Sequence, residues 1–310
     1  MKLLIVGGRF VLGLAVIASA LAQEPTWSDV AYGPAERQRL DFWQARSSGP
    51  APVVVYIHPG GFLQGDKTEI RGDAMLRECL AAGLSFASIN YRFLSEATLP
   101  EILRDCGRAI QFIRSQSGEW NVDPARVASY GSSAGAGASL WLAFHEDLAD
   151  PGSADPVLRE STRLVCAGSI SGQFSYDLLR WREIWTEEII QRHARRYLSP
   201  QFYGLSDDAE VRGPAGQKVR ADCDMLGLIT KDAPPVFLVA NRPGGDITDT
   251  NHFLHHPVHS RLLYERCREL GAPVVAAIPA FGLTPAKDEP GTLRDFLFLQ
   301  LRVNGRGANL

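Results

Sequence analysis

No histidine follows His259 in this 310-residue chain, so a site built from its last strand and helix has no imidazole to move a proton. Its five cysteines, Cys79, Cys106, Cys166, Cys223 and Cys267, include no Cys-X-X-Cys pair, which removes the usual spacing for a zinc or dithiol redox centre. Positive charge is not in excess: 32 Lys and Arg stand against 35 Asp and Glu, which argues against a nucleic-acid partner. The richest basic stretch, Arg180 to Tyr197, also carries Glu183, Glu187 and Glu188 and reads as the solvated face of a helix. No repeat or low-complexity run is present. No apolar run reaches the length of a bilayer span, since Phe10 to Ala18 is too short and has no stop-transfer flank.

What the N-terminus does have is the pattern of an export signal. Met1-Lys2 is charged, Phe10 to Ala18 is apolar, and Ala20-Leu21-Ala22 offers small residues where a signal peptidase reads. Cleavage after Ala22 is expected, giving residues 23–310 as one secreted or periplasmic domain. Lys2 and Arg9 fall in the removed segment, leaving 30 basic against 35 acidic residues. Export permits disulfides, an odd cysteine count leaves at least one thiol free, and buried structural cysteines are the simpler reading.

Beyond residue 22, short apolar runs alternate with helical patterns, the signature of βαβ units and a parallel sheet. Gln38 to Gln44 alternates as a strand. Val53 to Ile57 and Ser85 to Tyr91 are continuous runs suited to strands buried on both faces. Pro100 opens a helix with Ile102, Leu103, Cys106, Ala109, Ile110 and Ile113 at helical spacing. Asn121 to Pro124 breaks the chain before a strand at Arg126 to Tyr130, and Ala134 to Phe144 is a helix of small residues. Strands are expected at Val165 to Ile170, Val236 to Ala240 and Val274 to Ile278. Helices are expected at Val258 to Leu270, capped by Gly271, and at Leu293 to Leu301. Residues 175–230 lack strand character and read as a helical insert, and a long loop is expected from Val236–Ala240 to His256.

The chemistry gathers in two places. Gly131-Ser132-Ser133-Ala134-Gly135 sits between a strand and a small-residue helix, where a sharp turn would lift the Ser133 hydroxyl and glycines on either side would relieve crowding. His58-Pro59-Gly60-Gly61 follows a buried strand directly. The N–H groups of Gly60 and Gly61, with that of Ala134, would form an oxyanion hole, and His58 reads as a loop anchor.

From Gln38 to Phe144 the sequence resembles the esterase/lipase branch of the α/β-hydrolases, in its carbohydrate-esterase-like group. The matching residues are Leu40-Asp41, His58-Pro59-Gly60-Gly61-Phe62, Gly65-Asp66-Lys67, Asn90-Tyr91-Arg92, Pro100 and Asp105, Asp123-Pro124 and Gly131-Ser132-Ser133-Ala134-Gly135. The later strand Val236 to Ala240 and Glu269 to Val274 also fit. The resemblance implies an α/β-hydrolase fold with an eight-stranded, mostly parallel sheet and a helical lid over residues 175–230. It also implies acyl transfer through Ser133, with an acid after strand seven and a histidine after strand eight. The acid segment, Asn241 to Asp249, offers Asp246 first and Asp249 second. The histidine place, near Ala280 to Leu283, holds none.

His252, His255, His256 and His259 crowd the stretch after the acid loop, at the sheet edge where Ser133 should lie. His256, or else His255, is the candidate substitute base, both expected to be extended ahead of Pro257. His145, His193 and His259 read as structural. Two functions follow. One is a serine carboxylic-ester hydrolase acting on a small-molecule or carbohydrate ester, with Ser133, Asp246 and His256 catalytic. The other is a catalytically impaired homologue that binds a ligand in the same cleft. Neither implies a cofactor or metal.

Overall fold

The computed structural model describes residues 23–302; the export segment and its expected cleavage point lie outside the described residues. One eight-stranded sheet organises the chain: β1 (Trp27–Ala31), β2 (Arg39–Trp43), β3 (Ala51–Ile57), β4 (Ser85–Ile89), β5 (Val122–Ser132), β6 (Ala167–Ile170), β7 (Val236–Val239) and β8 (Val274–Ala277). The spatial order is β1-β2-β4-β3-β5-β6-β7-β8. β1 and β2 pair antiparallel at one edge, and every pairing from β4 to β8 is parallel. This is the eight-stranded, mostly parallel α/β architecture expected from the sequence.

Helices cover both faces because the strands are apolar on both. Val53, Val55 and Ile57 of β3 pack into one cluster, while Val54 and Tyr56 point into the other, following the two-residue period of a strand. The larger cluster is closed by α2 and α3, and the smaller by α1 and the terminal helix. α1 is Ala74–Ala81, α2 Leu99–Ser115 and α3 Ala134–Phe144. Thr98 and Glu101 form a capping box at the start of α2, with Pro100 in its first turn.

Between β6 and β7 the insert folds as α4 (Glu187–Ala194), α5 (Asp208–Arg212), α6 (Pro214–Asp222) and α7 (Met225–Leu228), joined by short 3-10 turns. After β7 come α8 (Thr250–Leu254), α9 (Val258–Leu270), β8 and α10 (Leu293–Gln300).

Three local expectations are corrected. β5 begins at Val122, not after Pro124. Its partners run from Ala51↔Val122 to Val53↔Val127, so the Asp123-Pro124 segment is accommodated as an irregularity within the strand. The long loop after β7 contains α8, capped by the Asp249 carboxylate, which accepts from the His252 N–H at 2.8 Å. His255 is not extended but closes that helix at φ −122°, ψ 20°. Among the described residues all five cysteines are free and buried.

α3 lies close against β3. A Cβ on Gly135 would overlap the Ile57 carbonyl, and one on Gly131 would overlap both Gly135 and Ile57. The obstacle is backbone in every case, which has no alternative rotamer. Gly135→Ala should therefore cost about 3 kcal/mol or more and lower Tm by several degrees, or prevent soluble expression. Gly118→Ala, where a Cβ meets nothing, serves as the control in the same thermal melts, and equal melting of the two variants would contradict this packing.

Candidate active site

Ser133 is the residue at which β5 turns into α3, and its backbone sits at φ 52°, ψ −120°. That left-handed conformation is costly for a residue with a side chain. It is held by the Ser133 N–H donating to the Ile170 carbonyl at 2.9 Å and by the Gly137 N–H donating to the Ser133 carbonyl at 3.0 Å. Gly131 and Gly135 let the strand, the turn and the helix crowd against β3. The sharp turn read from Gly-X-Ser-X-Gly is present.

The second loop runs from His58 to Gly65. Gly60, Gly61 and Gly65 have φ of 119°, 63° and 107°, and the buried Phe62 has φ 61°. His58 anchors this loop as expected. Its ring stacks on Tyr91 at 4.3 Å, its Nδ1 donates to the Pro59 carbonyl at 2.7 Å, and the Tyr91 hydroxyl donates to the His58 carbonyl at 2.8 Å. Burial pushes its pKa down to about 4, only partly offset by that carbonyl, so the ring is neutral and turned to structure. Among the described residues, no backbone carbonyl accepts from the N–H groups of Gly60, Gly61 or Ala134, the three proposed as oxyanion donors from the sequence. All three line the cavity into which Ser133 opens, of about 770 Å³.

His255 meets the serine. Its Nε2 lies 2.7 Å from Ser133 Oγ, and its Nδ1 lies 2.8 Å from the carbonyl oxygen of Asn251. A carbonyl can only accept, so the proton resides on Nδ1 and Nε2 presents its lone pair to the hydroxyl. Burial lowers the His255 pKa below the ordinary histidine value, the Asn251 carbonyl works against that shift, and the Arg242 charge adds to it. A neutral, correctly protonated imidazole hydrogen-bonded to a hydroxyl can take the proton from it.

His256, the first candidate from the sequence, is not at the serine. Its Nε2 donates to the Gly245 carbonyl at 3.1 Å and its Nδ1 accepts from the Val258 N–H at 3.1 Å, so both nitrogens are committed to backbone. The correction has a geometric cause. His255 is the C-cap of α8 and its ring reaches Ser133, whereas His256, one residue further on, turns its ring to the backbone of Gly245 and Val258. Asp246 is corrected as well: it is exposed, and the imidazole nitrogen it was expected to hold is occupied by Asn251. Asp249 caps α8. His252 donates from Nε2 to the Pro243 carbonyl at 2.8 Å, and His259 is fully buried beside Trp181, Trp185 and Phe174. Burial drives the His259 pKa down to about 3. His145 pairs with Asp222 at 2.8 Å, and neither residue lines the cavity.

The place after β8 where a histidine was missing is closed by backbone. The Ile278 N–H donates to the Leu283 carbonyl at 2.8 Å around a turn with Gly282 at φ 67°. Sequence reasoning missed Asn251, whose contribution is a main-chain atom, and Arg242. Asn251 was findable only by recognising Asp249 as a helix cap, which would have placed residues 251 and 255 one turn apart.

From the insert, Tyr176, Trp181, Tyr197 and Phe202 line the cavity. Trp181 and Phe202 are also buried in the core, so the insert is both wall and packing. Among the described residues no group of three or more His, Cys, Asp or Glu could hold a metal ion. No described helix is long and apolar enough to cross a membrane.

Comparison with known proteins agrees with this geometry. Residues 40–178 match the BD-FAE family model. A protein of Arabidopsis thaliana named "Probable isoprenylcysteine alpha-carbonyl methylesterase ICMEL1" is 27% identical over 151 residues, 48% of this chain and 31% of that protein. "Probable carboxylic ester hydrolase LipM" of Mycobacterium tuberculosis is 27% identical over 222 residues, 69% of this chain and 47% of its own length. The chain thus spans a third to a half of the length of these curated relatives. Among solved structures, a truncated carbohydrate esterase from gut microbiota aligns with TM-score 0.64 at 16% identity, covering 90% of this chain and 100% of that one. An acetyl ester-xyloside bifunctional hydrolase from Caldicellulosiruptor lactoaceticus aligns with TM-score 0.56 at 22% identity, covering 77% and 75%. Sheet order, the turn at Ser133, the glycine loop and these matches together give the chain an α/β-hydrolase fold and a likeness to esterases of that fold.

Proposed function

We propose that this chain is a serine carboxylic-ester hydrolase whose base is His255. The observation that carries the proposal is the 2.7 Å contact between Ser133 Oγ and His255 Nε2, with Nδ1 held by a carbonyl, at the wall of a 770 Å³ cavity. Ser133 Oγ attacks the ester carbonyl as His255 Nε2 takes its proton. Gly60, Gly61 and Ala134 donate N–H groups to the developing oxyanion. The proton then passes to the alcohol oxygen as the C–O bond breaks. Water, deprotonated by the same nitrogen, cleaves the acyl-enzyme, so ester and water become acid and alcohol.

The family's usual carboxylate on Nδ1 is replaced by a neutral carbonyl. What an acid does there is to fix the tautomer and to stabilise the imidazolium. The Asn251 carbonyl supplies the first fully and the second in part, so a slower but competent base is the reading. An acylated carbohydrate is the proposed substrate class, supported by the likeness to a carbohydrate esterase and an acetyl ester-xyloside hydrolase, by the size of the cavity and by its aromatic wall. We also propose that the chain acts after export, on the strength of its first 22 residues.

A fluorophosphonate probe and a short-chain nitrophenyl ester test the chemistry. Ser133→Ala should label not at all, and both Ser133→Ala and His255→Ala should lose about ten-thousand-fold or more in turnover. His256→Gln and Asp246→Asn should each cost at most about one order of magnitude, roughly 1.4 kcal/mol of barrier. Wild type no faster than Ser133→Ala would leave a ligand-binding homologue, and parity of His255→Ala with wild type would remove the base.

The pH profile has a definite sign. Only neutral His255 can accept the proton, and its pKa lies below the ordinary 6.5 because burial and Arg242 disfavour its charge. The acid limb of kcat/KM on an uncharged ester should therefore fall below pH 6.5, and a midpoint above 7 would contradict the environment described for His255.

A further inference from the structure

Arg242 is the charged residue of the cavity that the ester chemistry leaves unused. It lines the same cavity wall as Ser133 and His255 and is half-buried. Neighbouring arginines of the insert are neutralised: Arg180 by Asp224 at 3.1 Å, Arg182 by Glu187 at 2.6 Å and Arg220 by Asp177 at 2.7 Å. Arg242 is not. Among the described residues no carboxylate lies within ion-pair distance of it and no acceptor takes its N–H groups. The cavity's other charged residue, Glu69, is exposed, and its carboxylate caps a short helix by accepting from the Asp66 N–H at 3.1 Å.

The position is built. The carbonyl of Pro243, immediately after Arg242, receives the His252 Nε2–H, and the carbonyl of Gly245 receives the His256 Nε2–H. Two histidines of one face of α8 and its end, 5.0 Å apart ring to ring, therefore fasten the loop that carries Arg242 beside the helix that carries His255. Pro243 further limits the Arg242 backbone to extended conformations. A long side chain on a fixed backbone, half-buried without a counter-charge, is suited to pair with an anion.

We propose that Arg242 is a specificity-determining residue that binds a carboxylate on the leaving-alcohol side of the ester, so that the preferred substrates are esters of anionic alcohols such as acylated hydroxy acids or acidic sugars. This rests on the ester-hydrolase reading above. The side follows from the proton's path: His255 Nε2 must reach the departing alcohol oxygen, so a group next to His255 borders the alcohol, while the glycine loop borders the carbonyl oxygen. The influence of Arg242 on His255 agrees with that adjacency. Guanidinium and carboxylate meet with two parallel N–H···O bonds, which neither a neutral hydroxyl nor an amide can match.

The test uses the acetyl esters of meta-hydroxybenzoate and meta-hydroxybenzamide, which differ only in the charge on the alcohol. A second pair, para-nitrophenyl hemisuccinate and butyrate, puts the charge on the acyl side. Removing Arg242 also alters His255, so the ratio of the two esters within each variant is read. Wild type should favour the benzoate ester by about tenfold or more in kcat/KM, mainly through KM. Arg242→Gln should bring the ratio near one, and Arg242→Lys should restore part of it. An unchanged ratio in Arg242→Gln, or wild-type preference for the benzamide ester, overturns the proposal, and preference within the acyl pair alone overturns the assignment of side. Calorimetry with meta-hydroxybenzoate itself separates the two readings. Loss of benzoate binding in Arg242→Gln upholds the anion site even if no ester turns over, whereas equal binding in both proteins removes it while leaving the hydrolase intact.

Discussion

Ser133 can keep its left-handed backbone only because α3 lies against β3 with nothing but glycine between them. Gly131 and Gly135 face the carbonyls of Ile57 and His58 at distances that exclude a Cβ, and this contact sets where α3 begins. From it the rest of the site follows. The same strand end that Gly135 touches continues into the glycine loop, so one packing contact fixes both the hydroxyl and the amides opposite it. A shift of α3 would move Ser133 relative to Gly60, Gly61 and His255 together. The strain at one residue is thus borne by backbone packing of β3, β5 and α3, and not by the site's own side chains.

The imidazole arrives by a different route from the serine. α8 is five residues long, and its last turn leaves carbonyls without intrahelical partners. His255, at the cap, turns that shortage to use: the Asn251 carbonyl accepts from both its main-chain N–H and its ring Nδ1–H. The acceptor is therefore created by helix geometry and needs no particular side chain at position 251. Asp249 still matters, but through the helix, since its carboxylate caps the N-terminus and keeps residues 251 and 255 one turn apart.

The strands Ala51–Ile57 and Ser85–Ile89, the helix from Leu99, the turn at Ser133 and the glycine loop were legible because each rests on local pattern: β-branched runs, a proline at a helix start, glycines at fixed offsets. The insert was legible as helical but not in its individual helices. What could not be read was a partner supplied by a main-chain carbonyl, as Asn251 supplies one to His255. His255 and His256 are identical in type and adjacent, and only the end of a short helix decides which ring faces the serine. The replacement of a carboxylate by a carbonyl leaves no trace in residue types, and residue types alone favour Asp246. β1, with exposed residues and a register shift against β2, had little apolar pattern to reveal it.

Taken together, the charges around His255 are reversed from those expected of a serine-histidine-aspartate site. Where a carboxylate would stabilise the imidazolium, there is a neutral carbonyl, and within electrostatic reach stands an unpaired guanidinium. Arg242 therefore disfavours the charge that His255 would acquire as the proposed base. An anion seated on Arg242 would cancel that opposition at the moment it matters. On the proposed reading, the missing acid, the unpaired cation and the lowered pKa of His255 are one electrostatic arrangement, in which an anionic substrate would bring the negative charge beside the base.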